Sequence, residues 1–131
     1  MPEFLQKQVE MDYESVVKRV QEALEAEGFS VMLTKGIHEI FEKKLDIKGY
    51  PKRTFILGCA APLAKMALDV SVHTGQLMPC SFFVYEEDGN VFVTHTSIMK
   101  AAVILDLAPE DKMQPVIEET GKRIGKVWDR I

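Results

Sequence analysis

The sequence predicts one domain of mixed helices and strands, built around an antiparallel β-hairpin and closed by a long C-terminal helix. Three observations carry that expectation. Two β-prone runs, Pro79 to Tyr85 and Val91 to Thr96, flank the turn pair Asp88-Gly89. Tyr13, Val16, Val17, Val20 and Leu24 recur at steps of three and four. The same stepping returns from Met113 through Val116, Ile117, Ile124, Val127, Trp128 and Ile131. Alternation marks strands, and the three-and-four step marks one face of a helix.

Each element follows in turn. Phe4 to Glu10 predicts a first strand, and Asp12 is a helix N-cap before the stripe from Tyr13 to Leu24. Gly28 tolerates the left-handed backbone of a helix end, and Phe29 to Leu33 predicts a second strand. Ile37, Ile40, Phe41 and Leu45 predict a second helix, broken by Gly49-Tyr50-Pro51. Thr54 to Leu57 reads as a buried strand, and Pro62 suits the first turn of a third helix. Ser97 to Leu105 predicts a short buried helix. The last helix starts near Asp111, and Pro115 is expected in its first turn or marking its start. Gly121 and Gly125 lie four apart on it, either tolerated or leaving room for a close approach.

The Asp88-Gly89 turn also fixes a register. A two-residue turn pairs Tyr85 with Phe92, Val84 with Val93, Phe83 with Thr94 and Phe82 with His95. Cys80, Phe82, Val84, Val93 and His95 then share one sheet face, and Ser81, Phe83, Tyr85, Phe92 and Thr94 the other. Both faces carry large apolar groups. One is expected under helices and the other under a second subunit or a ligand.

Composition narrows the function. The chain has 131 residues with 47% hydrophobic and 27% charged, a globular balance that fits a single domain spanning 1–131. A net charge of −4 argues against nucleic acid or an anionic membrane as partner. The basic groups Lys48/Lys52/Arg53 and Lys122/Arg123/Lys126 lack interleaved aromatics and read as solvated faces. No apolar run reaches the length of a membrane span. Met1-Pro2-Glu3 lacks the basic start of a secretory leader. Two cysteines, Cys59 and Cys80, suit a reducing compartment, so a cytoplasmic protein is expected.

The run Ile56-Leu57-Gly58-Cys59 into Pro62, then Gly75, Leu77-Met78-Pro79-Cys80 and Val84-Tyr85-Glu86 with Gly89, resembles the domain-of-unknown-function 302 family. Glu27-Gly28-Phe29, closing the first helix, resembles that family's beginning. The resemblance spans roughly the whole chain. It implies an α+β domain: a curved, mostly antiparallel sheet of about five strands packed against helices, the long C-terminal helix lying across it. It also implies pairing into a homodimer, and no established reaction. The family pattern Gly-x-Cys-Asn-Pro departs here to Gly58-Cys59-Ala60-Ala61-Pro62, which moves the cysteine one residue early. Ala61 then stands where the family's Asn would cap the third helix, and Ala caps poorly.

Candidate chemistry is sparse. Cys80 and His95 are diagonal neighbours in the predicted register, about 7–8 Å apart by Cα. They form either a thiol–imidazole pair or a buried Cys beside a hydrogen-bonded core His. With Cys59 they define a thiol-based redox or metal-handling alternative. His38 and His73 could add nitrogen ligands, yet no CxxC or HxxxH spacing gathers them into a metal site. The strand-to-helix junction Gly58, Cys59, Ala60, Ala61 and Pro62, with Pro79 and Cys80, is the candidate ligand site. Its helix start suits a small anionic ligand and its surroundings an apolar one. The carboxylates Glu86-Glu87-Asp88 sit at a hairpin tip in water, and no catalytic signature is present. The sequence therefore points to a homodimeric ligand-binding or regulatory module rather than an enzyme, with its cofactors unknown.

Overall fold

A computed structural model describes residues 4–131 of the chain. Met1-Pro2-Glu3, weighed above for a leader, lies outside the described residues.

Strand β1 (Phe4–Gln8) leads into helix α1 (Tyr13–Ala26). Asp12 caps that helix, its carboxylate accepting from Ser15 N at 3.1 Å and from the Ser15 hydroxyl at 2.6 Å. Gly28 ends the connection at φ +85°, a conformation that glycine adopts without a Cβ clash. Then come β2 (Ser30–Gly36), α2 (Ile37–Leu45), β3 (Arg53–Cys59) and α3 (Ala61–Val70). A 3₁₀ turn at Val72–Leu77 precedes the hairpin of β4 (Cys80–Glu87) and β5 (Asn90–Thr96). Helices α4 (Ile98–Ile104) and α5 (Glu110–Arg130) complete the chain. Among the described residues, no helix is long and apolar enough to cross a membrane.

The five strands form one open antiparallel sheet in the order β1-β5-β4-β3-β2, an α+β architecture. The hairpin register is the one the turn predicts, with Val84 opposite Val93 and Phe82 opposite His95. Asp88 and Gly89 take φ 52° and 80°, so both central turn residues are left-handed. β2 and β3 run two or three residues beyond their predicted ends. Their backbone ladder continues from Ser30↔Cys59 to Gly36↔Thr54, past the point where apolar alternation stops.

Helices cover one face of the sheet. Val16, Val20 and Leu24 of α1 and Ile124 and Val127 of α5 pack with Ile56, Phe82, Val84 and Val93 in one core cluster. A smaller cluster joins α3, α4 and the first half of α5 through Ala67, Met99, Ala102, Met113 and Val116. Tyr13 carries a hydroxyl into the main core. Its oxygen lies 2.7 Å from Thr54 Oγ1 and 3.0 Å from Val84 O, so it donates to the carbonyl and accepts from Thr54. Burial pushes its pKa up to about 12.

Two sequence expectations shift in the structure. Pro115 lies in the second turn of α5, because the helix begins one residue earlier, after a Pro109 cap. There it removes the bond that the Asp111 carbonyl would accept, at a point where Asp111 and Pro115 are exposed and Met113 and Val116 are buried. The cap of α3 is Ala60, not Ala61, and it makes no side-chain hydrogen bond. Ala61 is already helical. Asn there gains no capping bond and loses helix propensity, so Ala61→Asn should leave the melting temperature unchanged or slightly lower in a thermal unfolding experiment. A clear rise would restore Ala61 as the cap.

Candidate functional site

The hairpin register brings Cys80 and His95 to the helix-covered face, both buried. They stand in the wall of a groove of about 650 Å³ between the β1/β5 side of the sheet, α4 and α5. Its apolar lining includes Leu5, Ile98, Ile117, Ile124 and Trp128. That size and lining match the usual range of small-molecule sites.

Three polar groups in the wall matter. His95 stacks on Phe82 with ring centroids 4.4 Å apart and planes at 21°. Its Nδ1 lies 2.8 Å from Ser81 O. A carbonyl only accepts, so Nδ1 carries the proton and the neutral ring keeps a lone pair on Nε2. Burial lowers the His95 pKa from its ordinary value, partly opposed by the Ser81 bond, so the ring is neutral at pH 7. Cys80 is pushed up to about 11, by burial first and then by the nearby Cys59. It is a thiol at neutral pH, which leaves little of the thiolate that nucleophilic chemistry would need.

The third group is Thr120, which is 5% exposed and carries an Oγ1 with no hydrogen-bond partner. A buried hydroxyl left unpaired destabilises by about 1–3 kcal/mol. A helical Thr ordinarily relieves this by bonding the carbonyl one turn back. Next to it, Gly121 and Gly125 line the groove, and nothing lies within 4 Å of where their Cβ atoms would stand. In a helix interior each destabilises by about 1 kcal/mol against Ala. No close packing partner accounts for that loss. The end of the groove is tied by Lys7, which donates to Trp128 O at 2.6 Å and sits 4.7 Å above the indole ring.

Of the predicted ligand residues, only Cys80 lines this groove. Gly58 is a ladder residue between Val31 and Cys80, not a loop, and Cys59 ends the same strand. Ala60 is buried, and Ala61 and Pro62 already belong to α3. Pro79 is half-buried, joined to Met78 by a cis peptide bond. The recess beside this junction holds only about 20 Å³, room for roughly one water. His38 is engaged with the Arg53 backbone, its Nδ1 accepting from Arg53 N at 2.9 Å, while His73 is exposed beside Gln76. Among the described residues, no three His, Cys, Asp or Glu side chains group to hold a metal ion.

Over residues 5–131 the sequence matches the family described as Domain of unknown function DUF302. The chain belongs to the DUF302 family. A crystal structure of an uncharacterized conserved protein DUF302 from Bacillus stearothermophilus is similar, with TM-score 0.86 and 18% identity. The likeness covers 99% of this chain and 98% of that one, and shows a shared fold. Among curated proteins none matches.

Thr120 is the residue in this DUF302 domain that sequence reasoning passed over. Its signal was present: it stands four residues from both Val116 and Ile124, a hydroxyl inside an otherwise apolar stripe. The buried state of Cys80 has a direct consequence at pH 8. With its pKa near 11, its thiolate fraction is about a hundredfold below that of an unfolded cysteine. A pulse of iodoacetamide, read by peptide mass spectrometry, should label Cys80 at least that much more slowly in the folded chain than in urea. Equal rates would show an accessible thiolate and revive the redox alternative.

Proposed function

We propose that this DUF302 domain is a ligand-binding module whose site is the groove between α4, α5 and the β1/β5 side of the sheet. The observation that carries the reading is the unpartnered Thr120 hydroxyl, buried in the wall of a groove that two bare glycines keep open. The stability these three residues forgo is offset when a ligand fills the space. The mostly apolar lining favours an apolar body over the anionic alternative. The protonated Cys80 thiol favours binding over thiol chemistry. Two free cysteines fit a reducing, cytoplasmic setting, and the net charge of −4 fits a partner other than nucleic acid.

Thr120→Val tests the reading, since it keeps the shape and removes the hydroxyl. The free protein should gain about 1 kcal/mol of stability in urea unfolding. Native mass spectrometry should show less small molecule retained by the variant than by the unaltered chain. If the variant is instead less stable, the hydroxyl serves the fold and the groove loses its claim.

The same module is proposed to pair with a second copy through the uncovered sheet face. Phe55, Phe83, Tyr85 and Phe92 form a ladder of rings there, with successive centroids 5.5, 5.9 and 5.1 Å apart. Phe55 is 36% exposed at its edge. A strip of this kind suits a two-fold contact in which one patch meets itself. Light scattering at micromolar concentration should return a dimer, and Phe55→Glu a folded monomer. A monomeric unaltered protein would end this part of the proposal.

A further inference from the structure

We infer that the groove selects a flat aromatic molecule bearing a hydroxyl, its ring lying along the α5 backbone at Gly121 and Gly125 and its hydroxyl directed to His95 and Thr120. This deepens the binding reading above and rests on it.

The head group follows from hydrogen-bond bookkeeping. His95 has committed its Nδ1–H to Ser81, so toward a ligand it can only accept. Thr120 has a hydroxyl with no partner. A ligand that satisfies both must give one hydrogen and meet one hydroxyl, and a single alcohol or phenol does so. A carboxylate brings no hydrogen and sets its charge beside an imidazole lone pair and an un-ionised thiol. A plain hydrocarbon leaves both wall groups unpaired. Lys100 and Asp129 line the groove with opposite signs, which gives a charged ligand no consistent field.

The body follows from the shape of α5. A side chain at residue 121 or 125 would meet open space, so alanine would fit and hold the helix better. What glycine adds is bare backbone on the groove side. A planar ring can approach it closely, with the Trp128 indole as a second flat surface. An aliphatic chain would make less of either.

Three probes of one size separate the claims: naphthol, methylnaphthalene and naphthoate. Trp128 is the chain's single tryptophan, so its indole N–H gives one unambiguous nuclear magnetic resonance signal from the groove. Naphthol should shift that signal and bind about tenfold tighter than either analogue, the worth of one well-placed hydrogen bond. Thr120→Val should reduce the preference, since only the His95 acceptor then remains, while leaving the aromatic body bound; an unchanged preference overturns the part given to Thr120. Gly125→Leu, folded by circular dichroism, should block all three. Equal binding of methylnaphthalene, or tighter binding of naphthoate, overturns the hydroxyl selectivity and leaves the groove as a site. If none of the probes moves the Trp128 signal, the groove reading itself fails.

Discussion

The hairpin turn at Asp88-Gly89 constrains everything else in the molecule. Both residues are left-handed, at φ 52° and 80°, and this twist matches that of the strands it joins. Only one alignment follows, and a slip of one residue would turn every side chain to the opposite face. In the observed register Phe82, Val84 and Val93 are completely buried under α1 and α5. The same alignment sets His95 against Phe82 and gives its Nδ1 the Ser81 carbonyl. The imidazole's position is thus a consequence of a turn several residues away, with the sheet as the rigid link.

The groove arises where the helix layer leaves the sheet incompletely covered. α1 packs tightly over β2, β3 and β4, and α5 closes on the core through Ile124 and Val127. On the other side of α5, towards α4 and the β1 edge, the helix presents Thr120, Gly121 and Gly125 in place of larger side chains. A core of this size packs at the density of an organic crystal, and leaving such a strip unfilled works against stability. Local rules that are broken together, at adjacent positions on one helix face, mark a place where something other than folding sets the residues.

The fold was legible in the sequence because its signals are local. The turn pair, the Asp12 cap, Gly28 and the helical stripes each state their own conformation. Where reading failed, the deciding contact was distant. β2 and β3 extend through polar Thr34 and Lys35 because a neighbouring strand takes up their backbone groups. The α3 cap moved from Ala61 to Ala60 because β3 runs on to Cys59, leaving one residue for the corner. The ligand site was sought at that corner, where glycine, cysteine and proline cluster in sequence. The strand ladder consumes those backbone groups, and the remaining space is too small. Cys80 and His95 share the helix-covered face in the observed register, yet nothing local says that Thr120, Gly121 and Gly125 of α5 would line the same groove.

Burial decides how the Cys80–His95 pair should be understood. A thiol and an imidazole near each other suggest proton transfer, which would need a thiolate stabilised by a charged ring. Here both groups are driven the other way, the thiol up to about 11 and the imidazole below its usual value. The Coulomb attraction that would favour the ionised pair is opposed by the desolvation of two charges, and in a largely apolar wall desolvation prevails. Neutral, the two become short polar points on a greasy surface. Neutral groups can donate or accept hydrogen bonds without transferring protons, and that is the state the proposed binding role requires of them.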